Sequence, residues 1–145
     1  MEINKAIRTA YFTALNGNVL DKDANEVPFY DAFAIPDDIS YPYILLSSQT
    51  ANQKVIKHCK RYTTTMLIDV VTGSKSIKGR SESEDIAEQI ENIVNPDSGI
   101  GLNLTDNGYQ LGNTIKESDT YLTIINESYY IVRKLITYKH LTVKL

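Results

Sequence analysis

His58, Cys59 and His140 are the side chains of this sequence best suited to nucleophilic or general-base chemistry. Catalysis by such groups needs a nucleophile held against a base, with a third group orienting the base. His58 and Cys59 are chain neighbours, so on a strand or helix they point to different sides, and His140 lies far along the chain. A surface histidine beside an inert thiol is the simpler account, and no catalytic residue is assigned. Metal sites draw on Cys, His and carboxylates at short repeated spacing. One cysteine and two distant histidines do not supply that pattern. The acidic run from Asp21 to Glu26 lacks the glycine and terminal acid of a calcium loop, and reads as a solvated loop. Gly99-Ile100-Gly101 is too short for a phosphate cradle. Gly73–Gly79, with Lys75 and Lys78, precedes a helix but lacks the spacing of an ATP-binding loop, and Glu82 and Glu84 would repel phosphate. No cofactor, no metal and no enzyme activity are expected.

The composition agrees with that emptiness. The chain has 145 residues, 42% hydrophobic and 23% charged, which suits one domain (1–145) around one core. Its net charge is −3 and its pI about 5.3, without the basic excess of a sequence-specific nucleic-acid binder. The lone Cys59 makes no internal disulfide, which fits a reducing cytoplasm. The sequence shows no apolar run long enough for a membrane, and the first residues do not read as a signal peptide. Ten tyrosines stand against three phenylalanines and no tryptophan. Tyrosine suits half-buried strands and protein interfaces alike.

The elements that would position these residues follow from hydrophobic periodicity. Ile3, Ile7, Ala10, Tyr11, Ala14 and Leu15 form one stripe of a helix, ended by Asn16-Gly17-Asn18. Val27–Ile35 is expected as a strand, stopped by Pro36-Asp37-Asp38. Tyr41–Ser48 is a second, opened by Tyr41-Pro42-Tyr43. Gln49–Lys60 is polar and basic and is expected as a connector. From Tyr62 to Val70 a strict period of two marks the clearest strand. Gly73–Gly79 is expected as a break. Ser81 and Glu84 have the spacing of a capping box ahead of a second amphipathic helix, with Ile86, Ile90, Ile93 and Val94 on its apolar side and Asn95-Pro96-Asp97 at its end. Ser98–Gly108 reads as a loop. Leu111–Ile125 and Tyr129–Val143 are the last strands, joined by a tight turn at Asn126-Glu127-Ser128. Short connections favour antiparallel pairing. The expected fold is α+β, a mostly antiparallel sheet of four to five strands with two helices on one face, in the order α-β-β-β-α-β-β. The other face is left for water or a partner.

These segments resemble the tail-completion, or tail-terminator, proteins of tailed bacteriophages. The resemblance spans most of the chain. It rests on the N-terminal helix Ile3–Leu15, the strand opening Tyr41-Pro42-Tyr43-Ile44-Leu45-Leu46, the Thr-rich strand Tyr62–Val71, the helix with Ile86 and Ile90, and two closing strands. The segment Asn95–Ser118 is longer than its usual counterpart in that family. The resemblance implies a structural protein of the virion, a ring at the head–tail junction (neck) assembled in the bacterial host cytoplasm. Six copies are usual, with a dodecamer as the short-tailed counterpart. Its partners would be copies of itself, the tail tube protein, and head-completion, connector or portal proteins. The interface residues expected from exposure are Tyr41 and Tyr43 around the proline, Lys57, Lys60 and Arg61 in the basic connector, and Tyr129, Tyr130, Arg133 and Tyr138 on the last strand. The competing account is a small α+β ligand-binding or regulatory domain without catalysis, marked by an apolar pocket between helices and sheet.

Overall fold

The stripe that starts the chain folds as expected: helix α1 spans Ile3–Leu15 and buries Ile3, Ala6, Ile7, Ala10, Tyr11 and Leu15. Glu2 caps it, its carboxylate accepting from the Lys5 backbone N–H at 3.0 Å. Asn16 closes it, and Gly17 follows at φ +78°. The computed structural model describes residues 1–76, 79–99, 101–125 and 128–145. Strands β1 (Phe29–Asp31), β2 (Tyr43–Ile56) and β3 (Cys59–Ser74) come next, then helix α2 (Ser81–Val94), a short 3-10 turn (Thr105–Asn107), β4 (Tyr109–Ile125) and β5 (Tyr130–Lys144). The sheet order is β1-β2-β3-β5-β4. All pairs are antiparallel except β1 with β2, which run parallel. The expected α+β order and mostly antiparallel sheet are present.

Alternation along the strands sorts the two sheet faces. Ile44, Leu46, Met66, Ile68, Val70, Ile136 and Tyr138 join the apolar stripes of α1 and α2 in one core cluster. Both helices lie on that face. No helix among the described residues is long and apolar enough to cross a membrane.

Several boundaries differ from expectation, each for a physical reason. Gln49–Lys60 is no connector. It belongs to one long hairpin, with β2 paired to β3 from Gln49↔Met66 to Ile56↔Cys59. Beyond Leu46 no strand among the described residues flanks the outer edge of β2, and Thr50–Val55 are all exposed, so no apolar alternation marks the strand. Lys57 and His58 make the turn at φ +43° and +68°, the two-residue conformation that matches strand twist. The expected strand Val27–Ile35 shrinks to three residues. Asp31 ends it, its carboxylate accepting from the Phe33 N–H and its carbonyl from the Ala34 N–H. Ser81 is no cap: Arg80 holds that position without a side-chain bond, and Ser83 instead donates to the Arg80 carbonyl at 2.7 Å. Gly73 and Ser74 still belong to β3, so the break starts after them. Of that expected break Ile77 and Lys78 lie outside the described residues, as do Ile100 of the glycine pair and Asn126 and Glu127 of the expected last turn.

Candidate functional site

The sheet face away from the helices carries a polar and aromatic centre. Asp69 projects from β3 between Ile68 and Val70, which both join the core, so its side chain leaves on the open face. It is nevertheless only 2% exposed, and its register neighbours are Leu45 on β2 and Leu135 on β5. Arg133 on β5 donates to Asp69 Oδ2 through Nε at 3.0 Å and also through Nη2. That hydrogen bond, above all, holds the Arg133 guanidinium above its ordinary pKa. Among the described residues Asp69 Oδ1 is buried without a hydrogen-bond partner.

Tyrosines gather beside this ion pair. The Tyr41 and Tyr43 rings stack at 5.6 Å and 27°, and Tyr129 meets Tyr41 at 5.4 Å and 49°. Burial, with Tyr41 as the next cause, raises the Tyr43 pKa. Gly73 makes room for the shelf, because a Cβ there would stand 2.8 Å from two Tyr41 ring atoms. Gly73→Val is therefore expected to expel Tyr41 from β3 and to lower stability by about 1–3 kcal/mol, the range for overpacking. Thermal melts and the loss of Tyr41–Tyr129 contacts in aromatic NMR spectra would check it.

The same face carries Leu122, Ile124, Ile115 and Leu141, all more than a third exposed. Register places them: Leu122 opposes Arg133, Ile124 opposes Ile131, and Ile115 opposes Lys139. Leu122 and Ile124 thus stand beside Arg133, whereas Ile115 and Leu141 lie toward the other end of β5, so the four form two separate pairs.

A second site lies on the helix side, at the end of the sheet where β3 stops and β5 starts. A cavity of about 660 Å³ opens between that end and the first turns of α2, lined among others by Tyr121, Ile125, Tyr130, Val132, Glu82 and Asp85. At its margin Lys134 is 6% exposed, bonding Asp119 at 2.7 Å and donating to the Tyr121 hydroxyl at 2.8 Å. Burial opposes the charges of this pair, but the hydrogen bonds outweigh it: Lys134 is held above its ordinary pKa and Asp119, also bonded by Lys116, below its own. The Arg80 guanidinium lies 5.0 Å from the Tyr121 ring centre.

The nine expected interface residues thus fall into four places. Tyr41, Tyr43, Tyr129 and Arg133 come together on the open face. Tyr130 lines the helix-side cavity instead. Lys57, Lys60 and Arg61 are exposed at and beside the hairpin turn, at the far end of the sheet. Tyr138 is corrected outright: it is 0% exposed in the core, where its hydroxyl donates to Glu91. It sits on the core side of β5, an even number of residues from Ile136. Asp69 and Gly73 were missed, although a lone carboxylate inside the most apolar strand was a usable signal. His140 is also core. It is 0% exposed, with Nε2 2.5 Å from the Tyr11 hydroxyl and Nδ1 3.2 Å from the Thr64 hydroxyl. Among the described residues no group of three or more His, Cys, Asp or Glu side chains could hold a metal ion. Asp21 spends its carboxylate on its own loop, accepting from the Asp23 and Asn25 N–H groups.

No family model matches this chain. No curated protein matches it either. Among solved structures the fold is similar to a chain described as "Virion of native gene transfer agent (GTA) particle". The TM-score is 0.54 at 10% sequence identity, over 96% of this chain and 91% of that one. At such identity the likeness is one of fold.

Proposed function

We infer that this chain is a structural protein of a phage-like virion. In our reading it forms a ring at the head–tail junction that caps the tail tube and joins it to the head connector. The observation that carries this is the fold shared along nearly the full length of both chains with a component of a virion particle. The uncovered sheet face supports it. An ion pair inside an aromatic and aliphatic surround is the kind of patch that buries against another protein. The work is assembly, with copies of itself, a tube protein and connector or portal proteins as partners. It requires no bond chemistry, no sequence-specific nucleic acid and no membrane.

Light scattering on the size-fractionated protein, alone and with the tube protein, tests the reading. The expected result is a closed multimer of six copies, or twelve for a short tail, visible as rings by negative stain. A strict monomer under both conditions would count decisively against it. A second reading draws on the cavity beside α2, whose volume falls within the range of small-molecule sites. Under that reading a small molecule would raise the melting temperature and a Val132→Trp variant would abolish the rise.

A further inference from the structure

Two segments of opposite charge lie toward the two ends of strand β3. From Ser47 to Ile68 the sequence holds four cations, Lys54, Lys57, Lys60 and Arg61, and no carboxylate. From Gly79 to Asp97 it holds six carboxylates and one arginine. The first group sits at the β2–β3 turn, where β3 begins. The second lies on α2, whose first turns stand beside the end of β3 at Ser74. The 16 residues of β3 separate them by about 50 Å. Within one molecule the two groups cannot meet.

Shape and apolar surface divide the same way. The hairpin protrudes past the last β3–β5 pair, Arg61↔Val143, and its Val55 is 62% exposed. The cavity at the other end has an apolar side formed by Val132, Tyr130 and Ile125, the last 70% exposed. Glu82 and Asp85 form its acidic side, with Glu88 exposed one turn further along α2. Two cations also line it. Lys22 is engaged with Glu82 at 3.8 Å, and Arg80 lies over Tyr121.

We propose that the basic hairpin tip of one copy seats in this cavity of the next copy. Val55 meets Ile125 and Val132, while Lys57 and Lys60 face Asp85 and Glu88. Contact of two tips would oppose like charges, so a two-fold dimer through the tip is disfavoured. A tip and a cavity at opposite ends of one molecule make a heterologous contact, the kind that propagates from copy to copy and gives a ring when the rotation between copies closes. The proposal rests on the ring reading and gives it a specific subunit contact.

Two experiments on the full chain test it. In a Cys59→Ser background, Val55→Cys with Ile125→Cys should give a ladder of disulfide-linked multimers under mild oxidation. Either cysteine alone finds no partner in this contact and should stay unlinked under the same oxidation. Separately, Lys57→Glu with Lys60→Glu should weaken self-association about tenfold or more, as should Asp85→Lys with Glu88→Lys, and mixing the two variants should restore it. All four positions are exposed, so thermal melts should stay near wild type. Rings that form normally in both charge variants, without a ladder in the cysteine pair, would overturn the tip contact and leave the ring reading standing. A wild-type chain that stays monomeric with and without the tube protein would overturn both.

Discussion

Arg133→Ala is expected to lower the folding free energy by about 2–3 kcal/mol, while Arg133→Met combined with Asp69→Val should recover to within about 1 kcal/mol of wild type. The Asp69 side chain is 3% exposed and its Oδ1 already lacks a partner. Removing Arg133 would leave that carboxylate buried with neither oxygen paired. Breaking a buried pair from one side costs about 3–5 kcal/mol. Arg133 is itself 33% exposed, so water screens part of the interaction and the lower figure applies. The double change removes both charges and places apolar groups beside Leu45, Leu135 and Val71, their apolar register neighbours. Urea denaturation of the three proteins gives the comparison. A loss under about 0.5 kcal/mol for Arg133→Ala would mean that water reaches Asp69, so that the centre of the open face is solvated. A stable double variant would also separate folding from assembly: if the ion pair fixes the docking register, the folded double variant should form rings poorly.

That centre was half visible in the sequence, and parity explains the half that was not. Tyr129, Tyr130, Arg133 and Tyr138 all read as interface residues because each lies on a long closing strand. On a strand, however, 129 and 133 share one face, and 130 and 138 share the other. Ile136 and Val132 are buried on the even side, so Tyr138 had to be core once the helices chose that side. The helices themselves were legible because their burial is one-sided. Six residues at three- and four-residue spacing mark α1, and Ile86, Ile90 and Val94 mark α2. The second half of β2 left no trace because periodicity records burial and not pairing. Its ladder to β3 is made by backbone groups, and residues from Thr50 to Val55 face solvent on both sides. The turn at Lys57 and His58 was equally hidden, since neither glycine nor asparagine advertises its positive φ. Gly73 read as a break because a glycine near Ser74 and Ser76 suggests a loop. Its use emerges only when the Tyr41 ring is laid across it. The helix-side cavity draws on five separate stretches, around Lys22, Thr72, Arg80, Tyr121 and Tyr130, which no local pattern could join.

Acidification should cost this protein about 3 kcal/mol through His140 alone. Burial lowers the imidazole pKa from 6.5 to about 4, against a smaller opposing effect of the hydrogen bond with Thr64. The Tyr11 hydroxyl lies on the other ring nitrogen, and the Tyr11 pKa is itself raised well above 10.0, so it offers no anion to a protonated ring. Glu91, whose charge acts on Tyr11, is engaged by the Tyr138 hydroxyl. Above pH 6.5 the histidine is neutral in both folded and unfolded chains and imposes no penalty. Between pH 6.5 and about 4 the unfolded chain binds a proton that the folded chain refuses, so stability falls by about 1.4 kcal/mol per pH unit at the steepest. Below about pH 4 both states are protonated and this loss levels off. Carboxylates titrate in the same region, so the informative quantity is the difference between wild type and His140→Gln. The glutamine keeps hydrogen-bonding capacity toward Tyr11 and Thr64 but binds no proton. Urea denaturation at pH 7, 6, 5 and 4 should show the wild-type curve falling more steeply than that of the variant, whose offset at pH 7 reflects packing alone. Parallel curves over that range would mean that the ring accepts a proton without unfolding, and hence that water or a carboxylate reaches the buried Tyr11–His140–Thr64 chain.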